Sequence, residues 1–208
     1  MTTDETRLLY FADPMCSWCW GFTPVFDAIK SHYADRLTVA LVLGGLRPGT
    51  RDPVTDSFRD EILHHWQQVK NLTGQSFTFD GAMPEGFVYD TEKPSRGVVA
   101  VGELNPDRVM PYFKEVQAAF YVDQKDVTQQ EVLAELAASF DIDTQQFKTA
   151  FESASVKDKT LAHFARARHL GVRGFPTLIM QTTEGYALLT HGYRPFDQLQ
   201  PDIDRALA

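Results

Sequence analysis

A chain of 208 residues with 43% hydrophobic side chains can bury a sizeable core, yet it contains no apolar run of the roughly 20 residues that a membrane-spanning helix needs. Its 28 acidic residues against 20 basic ones give a formal charge of −8, which works against nucleic-acid backbones and anionic lipid surfaces. No Lys/Arg cluster offsets that balance, so neither a nucleic acid nor a membrane is an expected partner.

Residues 1–6 are polar and acidic, and the apolar run behind them is too short for a secretory signal. The expected location is the cytoplasm, where structural disulfides are rare and a closely spaced cysteine pair is more often catalytic or metal-binding. Leu8-Leu9-Tyr10-Phe11-Ala12 reads as a strand buried on both faces, ended by Asp13-Pro14. Both cysteines of the chain follow at once, in Cys16-Ser17-Trp18-Cys19. Phe22, Val25, Phe26, Ile29 and Tyr33 then keep helical spacing, with Pro24 expected to kink the helix. A cysteine at a helix start faces unpaired N–H groups and the positive end of the helix dipole, which favours its thiolate. The second cysteine lies one turn on, placed to attack a mixed disulfide formed by the first.

Thr38 to Leu43 reads as the next strand, parallel to the first across a right-handed crossover. From about Asp56 to Leu170 the apolar positions follow mainly helical periods, interrupted by a Gly/Pro-containing stretch between Gly74 and Pro94. Phe58, Ile62, Trp66 and Val69 mark one helix face, and Val109, Phe113, Val116 and Phe120 another. Asn105-Pro106 is a cap and first-turn pair, and Thr128-Gln129-Gln130-Glu131 fits a capping box for a helix burying Val132, Leu133 and Leu136. Leu161, Phe164 and Leu170 belong to a helix that ends in the basic run Arg166–His169 and stops at Gly171. Thr177 to Gln181 and Tyr186 to Leu189 read as a hairpin, and Leu199, Ile203 and Leu207 as a last helix face interrupted by Pro201. The order describes an α/β sheet domain made from the two ends of the chain, 1–50 plus 155–208, with a helical domain, 51–154, inserted between them.

Asp13-Pro14-Met15-Cys16-Ser17-Trp18-Cys19-Trp20-Gly21-Phe22 and Gly171-Val172-Arg173-Gly174-Phe175-Pro176-Thr177 resemble the two signature stretches of the thioredoxin superfamily, in its DsbA-like branch with a helical insertion. Leu43-Gly44-Gly45-Leu46-Arg47-Pro48-Gly49, His64-His65-Trp66 and Phe87-Val88-Tyr89-Asp90-Thr91-Glu92 are similar to its FrnE-like, disulfide-isomerase group. The resemblance implies a thioredoxin-like fold and a thiol-disulfide oxidoreductase or isomerase that needs no cofactor. It also implies that Cys16 is the exposed nucleophile, that Cys19 is the partly buried resolving thiol, and that Phe175-Pro176 is a cis peptide whose backbone pairs with substrate. Ser17 and Trp18 would then contact substrate as well. The dipeptide between the cysteines holds no histidine to stabilise a thiolate, so strong oxidising power does not carry over. Expected partners are protein or small-molecule thiols and disulfides, glutathione among the candidates.

Several residues keep two readings. Asp13 either assists proton transfer at Cys19 or satisfies N–H groups at the helix start. His64 and His65 diverge by about 100° on a helix, so only one can border the site, and both are equally ordinary as surface or packing residues. Tyr89, Asp90 and Arg96 are candidates for the interdomain groove or plain loop and cap residues. A zinc site from the cysteines and histidines lacks the expected spacing, and no metal is expected. Rival functions are a glutathione-dependent transferase or isomerase of the kappa-class and chromene-carboxylate isomerase type, and a non-catalytic chaperone.

Overall fold

Alternation along the first strand sets up the architecture. In the computed structural model, which describes residues 6–34 and 36–207, β1 (Arg7–Ala12) sends Leu8, Tyr10 and Ala12 into one apolar cluster and Leu9 and Phe11 into another. Both of its faces are covered, and the run is accordingly apolar throughout. The segment expected not to be a signal, residues 1–5, lies outside the described residues.

β1 pairs in parallel with β2 (Thr38–Leu43), Arg7 opposite Thr38 and Ala12 opposite Leu43, and antiparallel with β3 (Thr177–Thr182). β3 turns back into β4 (Gly185–His191), giving the sheet order β2-β1-β3-β4. A parallel pair requires a crossover, and α1 (Ser17–His32) supplies it, burying Phe22, Val25, Phe26 and Ile29 against the sheet. Tyr10 meets the rings of Phe22 and Phe26 at 5.7 and 4.7 Å between centroids. Pro24 stands inside α1 and has no N–H for the carbonyl of Trp20, four residues back. The Gln75 amide donates to that carbonyl instead, at 2.9 Å, so the defect is turned into a tie between α1 and a distant segment.

Between β2 and β3 the chain is helical: α2 (Asp56–Thr73), α3 (Glu92–Leu104), a 3-10 turn (Pro106–Arg108), α4 (Val109–Tyr121), α5 (Gln130–Ala138), α6 (Thr144–Glu152) and α7 (Ala154–His169). α8 (Phe196–Leu207) follows β4 and buries Leu199 and Ile203. α7 packs on β2, and its Ala167 joins Leu9, Phe11, Val42 and Ile179 on the second face of the sheet. The stop signal at Gly171 acts as read, with φ +71° and the N–H of Val172 returning to the Ala167 carbonyl.

Two readings need correction. The turn before α5 is not a capping box, because no side chain caps that helix; Asp126 instead accepts from the main-chain N–H and the hydroxyl of Thr128. Leu161 is 57% exposed and faces away from the core that Phe164 enters. Two helices carried no signal that the sequence reading used. In α3, Pro94 through Val101 is buried on every side, Ser95 and Arg96 included, so burial there does not follow the polarity of the sequence. α6 is short and rests on Asp143, whose carboxylate caps the N–H groups of Gln145 and Gln146.

The stretch between α2 and α3 is irregular yet ordered by aromatic packing. Trp66 meets Tyr121 at 5.0 Å, Phe77 at 5.5 Å and Phe120 at 5.7 Å, and Phe87 stacks on Phe120. Where β2 ends, Gly44 lets the Phe175 ring lie on bare backbone: a Cβ added there would stand 2.0 Å from the ring. Gly44→Ala should therefore lower stability by about 2–3 kcal/mol, read as a lower urea midpoint at unchanged slope. A variant as stable as the parent would contradict this packing.

Candidate active site

Cys16 is the N-cap of α1, with extended backbone (φ −92°, ψ 114°), and its carbonyl accepts from the N–H groups of Cys19 and Trp20 at 2.9 and 3.0 Å. No side chain caps the first turn, so its N–H groups are left to whatever charge the Cys16 sulfur carries. Both cysteines are free thiols. The Cys16 thiol donates to the Phe175 carbonyl at 3.5 Å, which joins the two signature stretches across 159 residues of chain. Phe175-Pro176 is cis, and the Pro176 carbonyl accepts from Gly192 N–H at 2.7 Å.

The expectation of an exposed Cys16 is corrected by the structure. Cys16 is only 6% exposed, because Met15, Leu46, Ile62, Trp66 and Tyr89 close around the cysteine turn and leave a cavity of about 450 Å³ as its surroundings. Cys19 is fully buried rather than partly so. Burial pushes the Cys19 thiol well above the ordinary range, and its hydrogen bond to Cys16 acts in the same direction. A protonated Cys19 next to Cys16 is thus the resting arrangement.

Asp13 is also fully buried, and it is no ordinary cap. Its two carboxylate oxygens accept from the main-chain N–H groups of Met15 at 2.9 Å and Leu46 at 2.7 Å, with the Thr91 hydroxyl as a further partner. Burial outweighs these donors and raises its pKa to about 6. The main chain of Asp13 also hydrogen-bonds the Cys19 sulfur, which places the carboxyl and the resolving thiol in one neighbourhood. The hydroxyl of buried Tyr89 donates to the carbonyl of Met15 and steadies the turn from the other side. Burial raises the pKa of this phenol, so it stays protonated and remains a donor.

The cavity gathers Cys16, Ser17, Trp18 and Phe175 on one wall and Glu61, Ile62, His65 and Trp66 of α2 on the other. The two histidines diverge as their spacing requires: His65 lines the cavity, whereas His64 is hydrogen-bonded to Gln68 along α2. Pro176 follows Phe175 in the chain but does not line the cavity. Arg96 is held elsewhere by Glu92 and by Phe151, over whose ring it lies at 4.2 Å, and Asp90 caps the N–H groups of Gly49 and Glu92. The loop after β2, which the sequence reading cited as a motif, was given no role in the site. Leu46 and Arg47 line the cavity, and the signal for them was the Gly44-Gly45 pair, which a close ring contact at Gly44 and a left-handed backbone at Gly45 explain.

Comparison with known proteins agrees with this geometry. A candidate protein disulfide isomerase from Nitrosomonas europaea, known as a crystal structure, is 45% identical, with 98% of each chain covered and a TM-score of 0.93. The cytosolic disulfide reductase DsbM from Pseudomonas aeruginosa is 28% identical, with 97% of this chain and 100% of that one covered and a TM-score of 0.80; it is also known with GSH. Among curated proteins, the ClpXP adapter protein SpxH of Bacillus subtilis is 24% identical over 86% of this chain, which spans 59% of that protein's length. The DSBA-like thioredoxin domain matches residues 7–204. With that match over nearly its whole length, a thioredoxin-like sheet carrying inserted helices, and a thiol at the start of the first helix, the chain belongs to the DSBA-like thioredoxin domain family.

Proposed function

We propose that this chain is a thiol-disulfide oxidoreductase acting as a reductase or isomerase, with Cys16 as nucleophile and Cys19 as resolving thiol. One observation carries the reading: a free thiol at a helix N-cap, 3.5 Å from the Phe175 carbonyl and facing a cavity, has a second, fully buried thiol hydrogen-bonded behind it. The Cys16 thiolate attacks one sulfur of a substrate disulfide, breaking that S–S bond and releasing the other half as a thiolate. Cys19 then loses its proton and attacks Cys16, forming Cys16–Cys19 and releasing the second half reduced. Two electrons have passed to the substrate. In rearrangement without net transfer, the released substrate thiolate attacks a second disulfide of the same substrate, and the thiolate freed there attacks the Cys16 mixed disulfide, forming a new substrate S–S bond and releasing the Cys16 thiolate.

Cys19 cannot attack while protonated, and water does not reach it. Asp13, titrating at about 6 beside it, is the proposed proton acceptor, in its carboxylate form at neutral pH. Ser17, Trp18 and Phe175 are the proposed substrate contacts, with Pro176 holding Phe175 in place and the inserted helical domain shaping the far wall through Ile62, His65 and Trp66. The cytosolic relative DsbM and its GSH-containing structure support a cytoplasmic location and glutathione as a partner. The free Cys16–Cys19 pair favours thiol-disulfide exchange over the glutathione-transferase and chaperone readings, which need only one of these sulfurs or neither.

Cys16→Ser should reduce insulin-disulfide reduction by at least roughly a hundredfold and form no adduct. Cys19→Ser should accumulate a mixed disulfide, seen as an intact-mass increase equal to the bound thiol. Iodoacetamide should modify Cys16 before Cys19. Turnover by the Cys16→Ser protein, or equal labelling of both thiols, would remove the assignment.

For Asp13 the sign follows from a folded-state pKa raised above its unfolded value. The neutral carboxyl suits the fold better, so the cost of ionisation is absent at low pH, grows as pH rises through about 6, and is complete above that. In urea titrations of reduced protein, the stability difference between Asp13→Asn and wild type should move in the variant's favour by on the order of 2–3 kcal/mol between pH 4 and 7. The resolving step should meanwhile slow by roughly a hundredfold. A difference that does not change with pH would show that Asp13 is not the buried titrating group.

A further inference from the structure

Arg47 is a cation that the fold brings to the cavity and leaves without an anion. Its guanidinium carbon lies 4.4 Å from the centre of the Phe58 ring, its Nε is shut off from solvent with no hydrogen-bond partner, and among the described residues no carboxylate pairs with it. Acidic residues outnumber basic ones by 28 to 20, and Arg59, Arg96 and Arg194 each pair with a carboxylate at 2.7 to 3.0 Å. Burying part of a guanidinium without an acceptor costs free energy, so the arrangement calls for a partner that the chain does not itself provide.

The position is fixed in advance. The Arg47 N–H donates to the Thr91 hydroxyl at 3.0 Å, the Thr91 N–H returns to the Arg47 carbonyl at 3.3 Å, and the preceding residue is held by Asp13. Arg47 and Cys16 line the same cavity, whose volume of about 450 Å³ suits a small molecule or a few residues of chain. Trp66 lines it too, and its indole N–H is likewise buried without an acceptor. The unsatisfied polar atoms of this wall are therefore donors, and the surrounding Met15, Trp18, Phe58, Ile62 and Phe175 make the medium one in which an Arg–carboxylate pair is strong. Beside Cys16 and Arg47, the charged or titratable groups lining the cavity are Glu61 and His65 of α2 and Tyr89, and Glu61 disfavours anions near its own side.

We propose that Arg47 is the carboxylate receptor of the Cys16 cavity and makes the protein selective for small thiols and disulfides that carry a carboxylate near the reacting sulfur. This rests on the reading of Cys16 as nucleophile. With a disulfide RS–SR, the Cys16 thiolate attacks one sulfur, the RS–SR bond breaks as Cys16–SR forms, and the other half leaves as a thiolate that takes a proton from solvent. Arg47 holds the carboxylate of the half that stays.

The test is stopped-flow reaction of the reduced full chain with three symmetrical disulfides, dithiodipropionate (anionic), bis(2-hydroxyethyl) disulfide (neutral) and cystamine (cationic), followed by tryptophan fluorescence. The quantity read is the ratio of rate constants for the anionic and neutral reagents, in which any change in intrinsic Cys16 reactivity cancels. Arg47→Met, which keeps the apolar stem over Phe58, should lower that ratio roughly tenfold, Arg47→Lys should recover part of it, and added salt should weaken the wild-type preference. The cystamine-to-neutral ratio should not fall. An unchanged anionic-to-neutral ratio in Arg47→Met overturns the proposal. Should wild type react with none of the three, the nucleophile reading fails by itself, and binding of S-methylglutathione by calorimetry decides the role of Arg47. A dissociation constant raised roughly tenfold in Arg47→Met supports the receptor, and an unchanged one rejects it.

Discussion

The buried carboxylate of Asp13 is the constraint on which the site depends. Taken alone, its removal from water is costly, and the fold offsets that cost with donors from separate parts of the chain: Met15, Leu46 and Thr91. Each donor fixes a wall. Met15 is the residue before the nucleophile candidate, Leu46 opens the loop that carries Arg47, and Thr91 clamps that loop and begins α3. The cysteine turn, the loop after β2 and the start of α3 can therefore be formed correctly only together. Because the donors do not fully offset burial, the carboxyl also binds a proton more readily than in water, and a structural anchor acquires a titration near neutral pH.

The second organising element is the aromatic cluster around Trp66. It makes the coil between α2 and α3 behave as a fixed wall, since Phe77, Phe79, Phe87 and Tyr89 of the coil interlock with Phe120 and Tyr121 of α4. Trp20, just behind the cysteines, stacks on Tyr121 and donates its indole N–H to the Ser76 carbonyl. Gln75 reaches the Trp20 carbonyl from the same coil. α1 is thus attached to the helical part at the turn where the thiols sit.

How much of this the residues disclosed depends on whether a local rule applied. β1 and β3 follow runs buried for most of their length, β2 and β4 are betrayed by apolar and β-branched residues rather than by burial, and α1, α2 and α4 each show one apolar face. α3 lay within the stretch read as helical but was not delimited as an element, because its core is buried all round and its valines read equally well as a strand. In the site, the cysteines and the Phe175-Pro176 stretch carry strong local patterns. Asp13 could be named but not assigned, because its role depends on Leu46 and Thr91, far away in sequence. Arg47 was named within the loop motif but given no role, because a cation is informative only once its missing partner is known, and that requires the whole neighbourhood.

The Cys16–Phe175 contact has a bearing on how the chain is made. Its two ends are separated by 159 residues, and the central strand β1 waits equally long for β3. At ribosomal speeds of about 5–20 residues per second, roughly 8–30 s pass between synthesis of the cysteine turn and synthesis of the segment that covers it. During that interval the N-terminal strand and helix lack the neighbour that completes the sheet, and both thiols emerge on a nascent chain with nothing fixed above them. The newborn protein is therefore open to the same oxidants and thiols that the finished cavity admits only selectively, which makes protection of the emerging thiol pair a task for the cell rather than for the fold.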